Sequence, residues 1–390
     1  VIFIRIYLHL KSYIYLPEIG WSEEPDATLD SENTVVIIFA DSDKRVVYEP
    51  ISQLFGLFEK AHIVGCSTAG EIFEDELHIG SVVATVMKME CSKIRVASRK
   101  VDKGSDVFEI GSSLMDELCS GEDLPKGVFT LSDGLNINGS ELTRGLNSSI
   151  SEASNIVVTG ALAGDDDRFE STWVIVDGEL RENCVTAVGF YGESLQIGFG
   201  SQGGWDRFGI DRVVTKSKGN VLYTLDGKPA LDLYKKYLGE YAKELPASGL
   251  LFPLQVKEGE SEPKVRTILS VNEDESSITF AGDIVEGSRA SFMKANLDNL
   301  ITGAESAAFK IEQDGYEGED ALLIAVSCVG RRLILGPRSE DELEVVREVF
   351  PKSVKMVGFY SYGEISTQKS GRCDLLNQTM TLTWIWEKCI

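Results

Sequence analysis

One unit is spelled three times along the chain, and that repetition constrains the fold more than any other feature. The first copy runs from TVVIIFADSD (34–43) through an amphipathic stretch to IVGCSTAGEI (63–72). The second runs from GVFTLSDG (127–134) through NGSELTRGLNSSI to NIVVTGALAGDD (155–166). The third runs from ALLIAVSCVGRR (321–332) through SEDELEVVREVF to VKMVGFYSYGEI (354–365). Each copy reads as an apolar strand, a polar loop, a helix of about three turns, a second apolar strand and a glycine-framed turn. Pro50 suits a first helical position, and Asn138 with Glu141, like Ser339 with Glu342, has the spacing of a capping box. Val345, Val346, Val349 and Phe350 form one apolar stripe. Short uninterrupted strands such as VVIIF point to burial on both faces of a sheet with parallel pairs, joined by right-handed crossovers.

Around these units the texture changes to alternating runs: SVVATVMKM with KIRVASRKV, then TWVIVDGEL, CVTAVGFYG, SLQIGFGSQ and finally TMTLTWIW. Such runs read as antiparallel hairpins, with Asp177-Gly178 as a turn signal. The expected class is therefore α/β: mixed sheets built from repeated strand-helix-strand units plus antiparallel hairpins. A chain of 390 residues exceeds what one core usually organises, so two domains are expected. Composition shifts at the glycine-rich SQGGWDRFG (201–209), which puts the boundary near Gly203 and the domains at 31–203 and 204–388. KEGESEPK (257–264) and DGYEGED (314–320) read as exposed loops. Residues 1–30 are an N-terminal segment of less certain type. Its opening VIFIRIYLHLKSYIYLP is interrupted by Arg5, His9 and Lys11, so it is neither a signal peptide nor a membrane span, and it reads as a strand. It lacks an initiating Met, which leaves a truncated or non-native start open.

The net charge of -24, from 38 basic against 62 acidic side chains, repels phosphate backbones and anionic headgroups, so neither nucleic acid nor membrane is an expected partner. Seven cysteines at irregular spacing, with no C-x-x-C, argue against a disulfide framework and a structural zinc site. They fit free thiols in a reducing cytoplasm.

The ordered motifs SDGLNING (132–139), TGALAGDD (159–166), FGSQGGW (199–205), LDGKPALDLYKKYLG (225–239), PASGLLFPL (246–254), R-x-x-L (266–269), EGSRASFM (286–293), SCVGRR (327–332) and GFYSYGEI (358–365) carry a resemblance. Over roughly residues 30–388 the chain resembles FIST proteins, with an N-terminal and a C-terminal FIST domain in tandem. The resemblance implies a bacterial or archaeal sensory input module of signal transduction, binding a small molecule such as an amino acid. With no room for an output domain after Trp386, signalling is expected to run through a separate partner, a histidine kinase or a cyclic-nucleotide enzyme. Members of the NosP type bind haem and nitric oxide, which makes haem the alternative ligand.

Loops leaving the carboxyl ends of parallel strands gather on one side of a sheet, where ligands bind. The recurring turns therefore supply the candidate site. Gly65, Gly70, Gly160, Gly164, Gly358 and Gly363 let backbone approach closely. Glu71, Asp165 and Glu364 are read as equivalent acceptors for an ammonium group, and Ser67, Thr68 and Tyr360 as hydroxyl donors. Arg289, ahead of Arg144 and Arg331, is the expected partner for a carboxylate. Asp133, Asn136 and Asn138 crowd polar groups at a strand end, where turn and capping duties explain them equally well. Asp165, Asp166, Asp167 and Glu170 lack the spacing of a calcium loop, so no metal site is expected. Haem needs an axial ligand, and among His9, His62 and His78 the latter two lie nearest the proposed edge. No catalytic residue is expected: Cys66-Ser67 sits at a strand-to-turn junction, yet GCSTAG is not the nucleophile-elbow pattern, and a hydrolase is only a remote alternative.

Overall fold

In the computed structural model, which describes residues 8–151, 154–318 and 320–388, each repeated segment is a parallel strand pair bridged by helix. Unit I pairs Thr34–Asp41 with His62–Thr68 across the helix Lys44–Leu57. Unit II pairs Gly127–Ser132 with Val157–Leu162 across Gly139–Ser148. Unit III pairs Ala321–Cys328 with Val354–Ser361 across two helices, Val329–Leu335 and Ser339–Val349. A third strand in each unit (Val82–Lys88, Cys184–Tyr191, Met380–Glu387) returns antiparallel beside the first. An edge strand (His9–Leu16, Lys93–Lys100, Leu195–Gln202) then pairs with that third strand. The class is α/β with mixed sheets.

The units are locked together by exchange. Between its second and third strands, each sends a short hairpin out of its own sheet. Glu71–Phe73 of unit I joins Val354–Ser361 of unit III; Gly363–Thr367 of unit III joins Val157–Leu162 of unit II; Val174–Val176 of unit II joins His62–Thr68 of unit I. The exchange closes on itself, so each of the three sheets, one of seven strands and two of six, holds strands from two units. This arrangement explains why glycine recurs. A Cβ at Gly65, Gly160 or Gly358 would stand 2.2, 1.9 or 1.7 Å from the carbonyl oxygen of Ile38, Thr130 or Ala325 on the adjacent first strand, closer than any side chain permits.

After Leu195–Gln202 the chain leaves this core and builds a module of its own. An eight-stranded antiparallel sheet begins at Asp206–Lys218 and ends at Arg289–Lys294. The helix Ala230–Leu238 covers it, over a separate apolar centre that includes Val214, Leu225, Tyr234, Phe280 and Phe292. Leu195–Gln202, before this exit, and Met380–Glu387, far beyond it, pair along one sheet.

Several local expectations are corrected. Pro50 does not start a helix: Asp43 caps Lys44–Leu57, and Pro50 lies inside it on the buried face with Val47, Ile51 and Leu54, where packing outweighs the lost hydrogen bond. Asn138 caps its helix, accepting from the N–H groups of Ser140 and Glu141 at 2.9 and 3.2 Å. Ser339 forms no capping box, because Glu342 is drawn into the core by Arg331. Cys91 is disulfide-bonded, against the expectation of free thiols throughout; it lies in the turn between Val82–Lys88 and Lys93–Lys100, where its N–H donates to Glu387 at 3.2 Å. Cys66, Cys119, Cys184, Cys328 and Cys373 are free. The N-terminal strand begins at His9; residues 1–7 of that expectation lie outside the described residues. No helix among the described residues is long and apolar enough to cross a membrane.

Candidate functional site

The recurring turns meet where the three units exchange strands, and their backbone groups are consumed there. Ala69 N–H donates to Tyr360 O at 2.8 Å, Tyr362 N–H to Leu162 O at 3.3 Å, and Gly164 N–H to Ser67 O at 3.0 Å. Each turn thus donates to the next unit in the same cyclic order as the hairpins. Ser67 accepts through its hydroxyl from Trp173 N–H at 3.0 Å, and Tyr360 donates to Glu342 at 2.9 Å.

The acidic residues of these turns are internal pins. Glu71 is fully buried and accepts from the Thr68 hydroxyl and from both N–H and hydroxyl of Ser81, at 3.0 and 2.7 Å. Glu364 repeats this in unit III with Ser361 at 2.9 Å and with Thr379 N–H and hydroxyl at 3.1 and 2.8 Å. Burial pushes both carboxyls up to about 7, although their hydrogen bonds pull the other way. In each case the carboxyl ties the glycine turn to the start of its unit's third strand. Counted from Gly65, Gly160 and Gly358, the residue opposite Glu71 and Glu364 is Asp166, not Asp165; Asp166 instead pairs with Arg332. Asp165 accepts from the N–H groups of Phe169, Glu170 and Ser171 at 3.0, 2.7 and 2.8 Å and from the Tyr362 hydroxyl. Arg331 is buried against Glu342 at 2.7 Å and also donates to Gly203 O and Leu300 O. Arg289 is exposed at the start of a module strand, beside Val213 and Lys257. Gly70 stands under Leu77 and Ile79. The structure therefore does not bring Arg289 to the turns.

Space for a ligand lies elsewhere, in a cavity of about 720 Å³ between core and module. The core side is the SDGLNING loop (Gly134 to Gly139), Phe169, Tyr362 and the stretch Cys328 to Gly330 with Leu333. The module side is Asn220, Pro246, Ala247 and Leu250, and the strands around Thr267 to Leu269 and Phe280 to Asp283. Asn136 and Asn138 line it. Asp133 shapes this loop from behind, accepting from Leu135 N–H, Asn136 N–H, the Asn136 amide and Asn183 N–H at 2.9, 3.1, 3.0 and 2.6 Å. Phe169 stacks on Tyr362 with ring centroids 4.6 Å apart and planes 13° from parallel. Asp165 holds both rings, through the Phe169 N–H and the Tyr362 hydroxyl.

Few polar bonds join the two sides near the cavity. Asn138 donates to Asp283 at 3.3 Å, Asp283 N–H donates to the Ser140 hydroxyl at 3.1 Å, and the buried Arg266 spends its guanidinium on Asp283 O and Leu375 O at 3.2 and 2.9 Å. Thr267 stands in the wall, with its own hydroxyl closed off from the space and without a partner. Apolar walls with a few convergent polar groups, at the junction of two folded bodies, are the usual anatomy of a small-molecule site.

Comparison with known proteins gives the family. The FIST N domain model matches residues 34–228 and the FIST C domain model residues 230–367. The chain belongs to the FIST family. FIST domains are sensory domains of signal transduction that bind small molecules, and they are sensory rather than catalytic. The chain is also similar to the uncharacterized protein MJ1623 of Methanocaldococcus jannaschii, with 25% identity over 346 residues that cover 78% of this chain and 64% of that protein. It thus spans less than two thirds of that relative's length.

Set in this FIST frame, the cavity is a poor haem site. His62 opens the second strand of unit I, at the end opposite the turns, and His78 lies 3.4 Å from Glu76 on the exchanged hairpin; neither lines the cavity. Cys328 and Tyr362 do line it, but burial pushes the Cys328 thiol far up and the Tyr362 hydroxyl is committed to Asp165. A thiolate or phenolate for iron is therefore costly in both positions. Among the described residues no group of three or more His, Cys, Asp or Glu is arranged to hold a metal. Cys66 and Ser67 are fully buried in the strand junction, the thiol pushed well up by burial, which is a poor setting for a nucleophile.

Other lining residues, not expected from the sequence, lie within its motifs. PASGLLFPL contains Pro246, Ala247 and Leu250, and the R-x-x-L stretch contains Thr267. Tyr362 had its own signal: a large aromatic ring stands where the other two turns carry Ala69 and Gly164.

Proposed function

We propose that this FIST protein senses a small molecule bound in the cavity between core and module, and passes the bound state to a separate signalling protein such as a histidine kinase or a cyclic-nucleotide enzyme. The observation that carries the proposal is the cavity's position: its walls come from two bodies joined nearby by few polar bonds. A ligand there contacts both bodies at once, so its binding energy goes into fixing module against core. That coupling converts occupancy into a changed surface for a partner. For an amino acid as ligand, Asp283 is available to the ammonium group, whereas no Lys or Arg lies among the lining residues to meet the carboxylate.

The test is a thermal-shift screen with a metabolite panel on the wild-type chain and on Ala281→Trp, which fills the cavity. A true ligand raises the melting temperature by mass action, by an amount that grows with its concentration over its Kd. The expected result is at least one compound that stabilises the wild type and not Ala281→Trp, with Arg289→Ala behaving as wild type. Stabilisation that survives Ala281→Trp, or is abolished by Arg289→Ala, contradicts the proposal.

A further inference from the structure

We infer that the ligand of this cavity is an uncharged, largely apolar and partly planar molecule, and that carboxylates and zwitterions are selected against. This rests on the cavity being the sensory site. Two observations carry it. The walls are mainly Leu135, Ile137, Leu250, Ile268, Phe280 and the Phe169–Tyr362 pair, whose stacked rings suit a flat apolar body.

The charged groups around the cavity, taken from both sides, leave an anion without a partner. Asp283 is the one ionisable carboxyl among the lining residues, and the lining holds no Lys, Arg or His. The buried cation Arg266 lies behind Gly282 and is spent on the carbonyl oxygens of Asp283, Val265 and Leu375. Arg332, on the helix that carries Leu333, is committed to Asp166, and Arg331 to Glu342. A carboxylate entering here loses its water, meets no cation, faces Asp283 and works against a chain of net charge -24. An uncompensated buried charge is far more costly than a buried neutral group.

The experiment measures affinities of one skeleton in several charge states by calorimetry: indole, indole-3-carboxylate and L-tryptophan, on wild type and Ala281→Trp. Indole is expected to bind with millimolar or better affinity, at least about ten-fold more tightly than indole-3-carboxylate or L-tryptophan. Binding that disappears in Ala281→Trp, yet shows no preference for the uncharged member, overturns the ligand class and leaves the site standing. Indole binding that persists in Ala281→Trp overturns the site itself. Absence of indole binding overturns the inference of an apolar ligand.

Discussion

Replacing Arg331 by Met distinguishes a ligand-binding arginine from a structural one. The guanidinium donates to Glu342 through Nε at 3.0 Å and Nη2 at 2.7 Å, to Gly203 O at 2.5 Å and to Leu300 O at 2.8 Å. Glu342 in turn accepts from Ser327 and Tyr360, each at 2.9 Å. Both members of the pair are fully buried. The cluster joins the two helices of unit III to the segment where the chain leaves the core, so once the cation is removed Glu342 keeps two hydroxyl donors and no compensating charge. Breaking a buried pair from one side costs about 3–5 kcal/mol. For 390 residues at about 2.1 cal/mol/K each, the unfolding entropy is about 0.8 kcal/mol/K, which converts that loss to a fall of about 4–6 °C in melting temperature if the chain unfolds as one unit. Removing both charges, as Arg331→Met with Glu342→Met, should restore most of the loss, because a matched apolar pair replaces a buried ionic one at little net cost. Calorimetry and urea unfolding of the three variants check this. A single variant within about 1 kcal/mol of wild type, or a double variant worse than the single, would refute the reasoning.

Further outcomes follow from the same core. Glu71 and Glu364 have folded-state values near 7 against an ordinary value of 4.5, so the fold holds more protons than the unfolded chain in that interval. Their contribution is fully present below about 4.5 and is lost as pH rises through about 7, at most about 3 kcal/mol for each; Glu71→Gln with Glu364→Gln should flatten the stability profile between these limits in urea titrations at several pH values. Gly358→Ala places a Cβ 1.7 Å from Ala325 O and should cost about 3 kcal/mol or prevent folding, whereas Gly178→Ala, in open space at φ +72°, should cost only about 1 kcal/mol; equal losses in thermal unfolding would contradict the close-approach account. In the cavity, Phe169→Ala should weaken any stabilising compound about ten-fold by removing half of the aromatic stack, measured as a displaced dose response in thermal shift.

The three units were legible because each carries uninterrupted apolar strands, a helix between them and a glycine with a steric reason to be there. The exchange of hairpins was not, since a strand as short as Glu71–Phe73 has the same local signal whichever sheet it joins. The candidate site followed the same divide. Asn136 and Asn138 stand out in the sequence because polar residues cluster after Ser132, and both line the cavity. Glu71, Glu364 and Tyr360 were read as ligand-facing from their place at strand ends, yet the exchanged hairpins bury those ends. Arg331 was misplaced for want of its partner, Glu342 having been assigned to a helix cap. Arg289 stood out for its flexible glycine turn, which says nothing of how far it lies from the site. Thr267 and Phe280 reach the cavity only because the module folds back on the core, a contact between segments more than a hundred residues apart in the chain.

Hydrogen–deuterium exchange of the whole chain, with and without the most stabilising compound of the panel, tests the central claim most directly. Binding in the cavity should slow exchange in residues 134–139, 246–250 and 267–283 together, since these segments from core and module close on one ligand. Protection confined to the turns at 67–71 and 361–364, or to the strand that begins at Arg289, would contradict it.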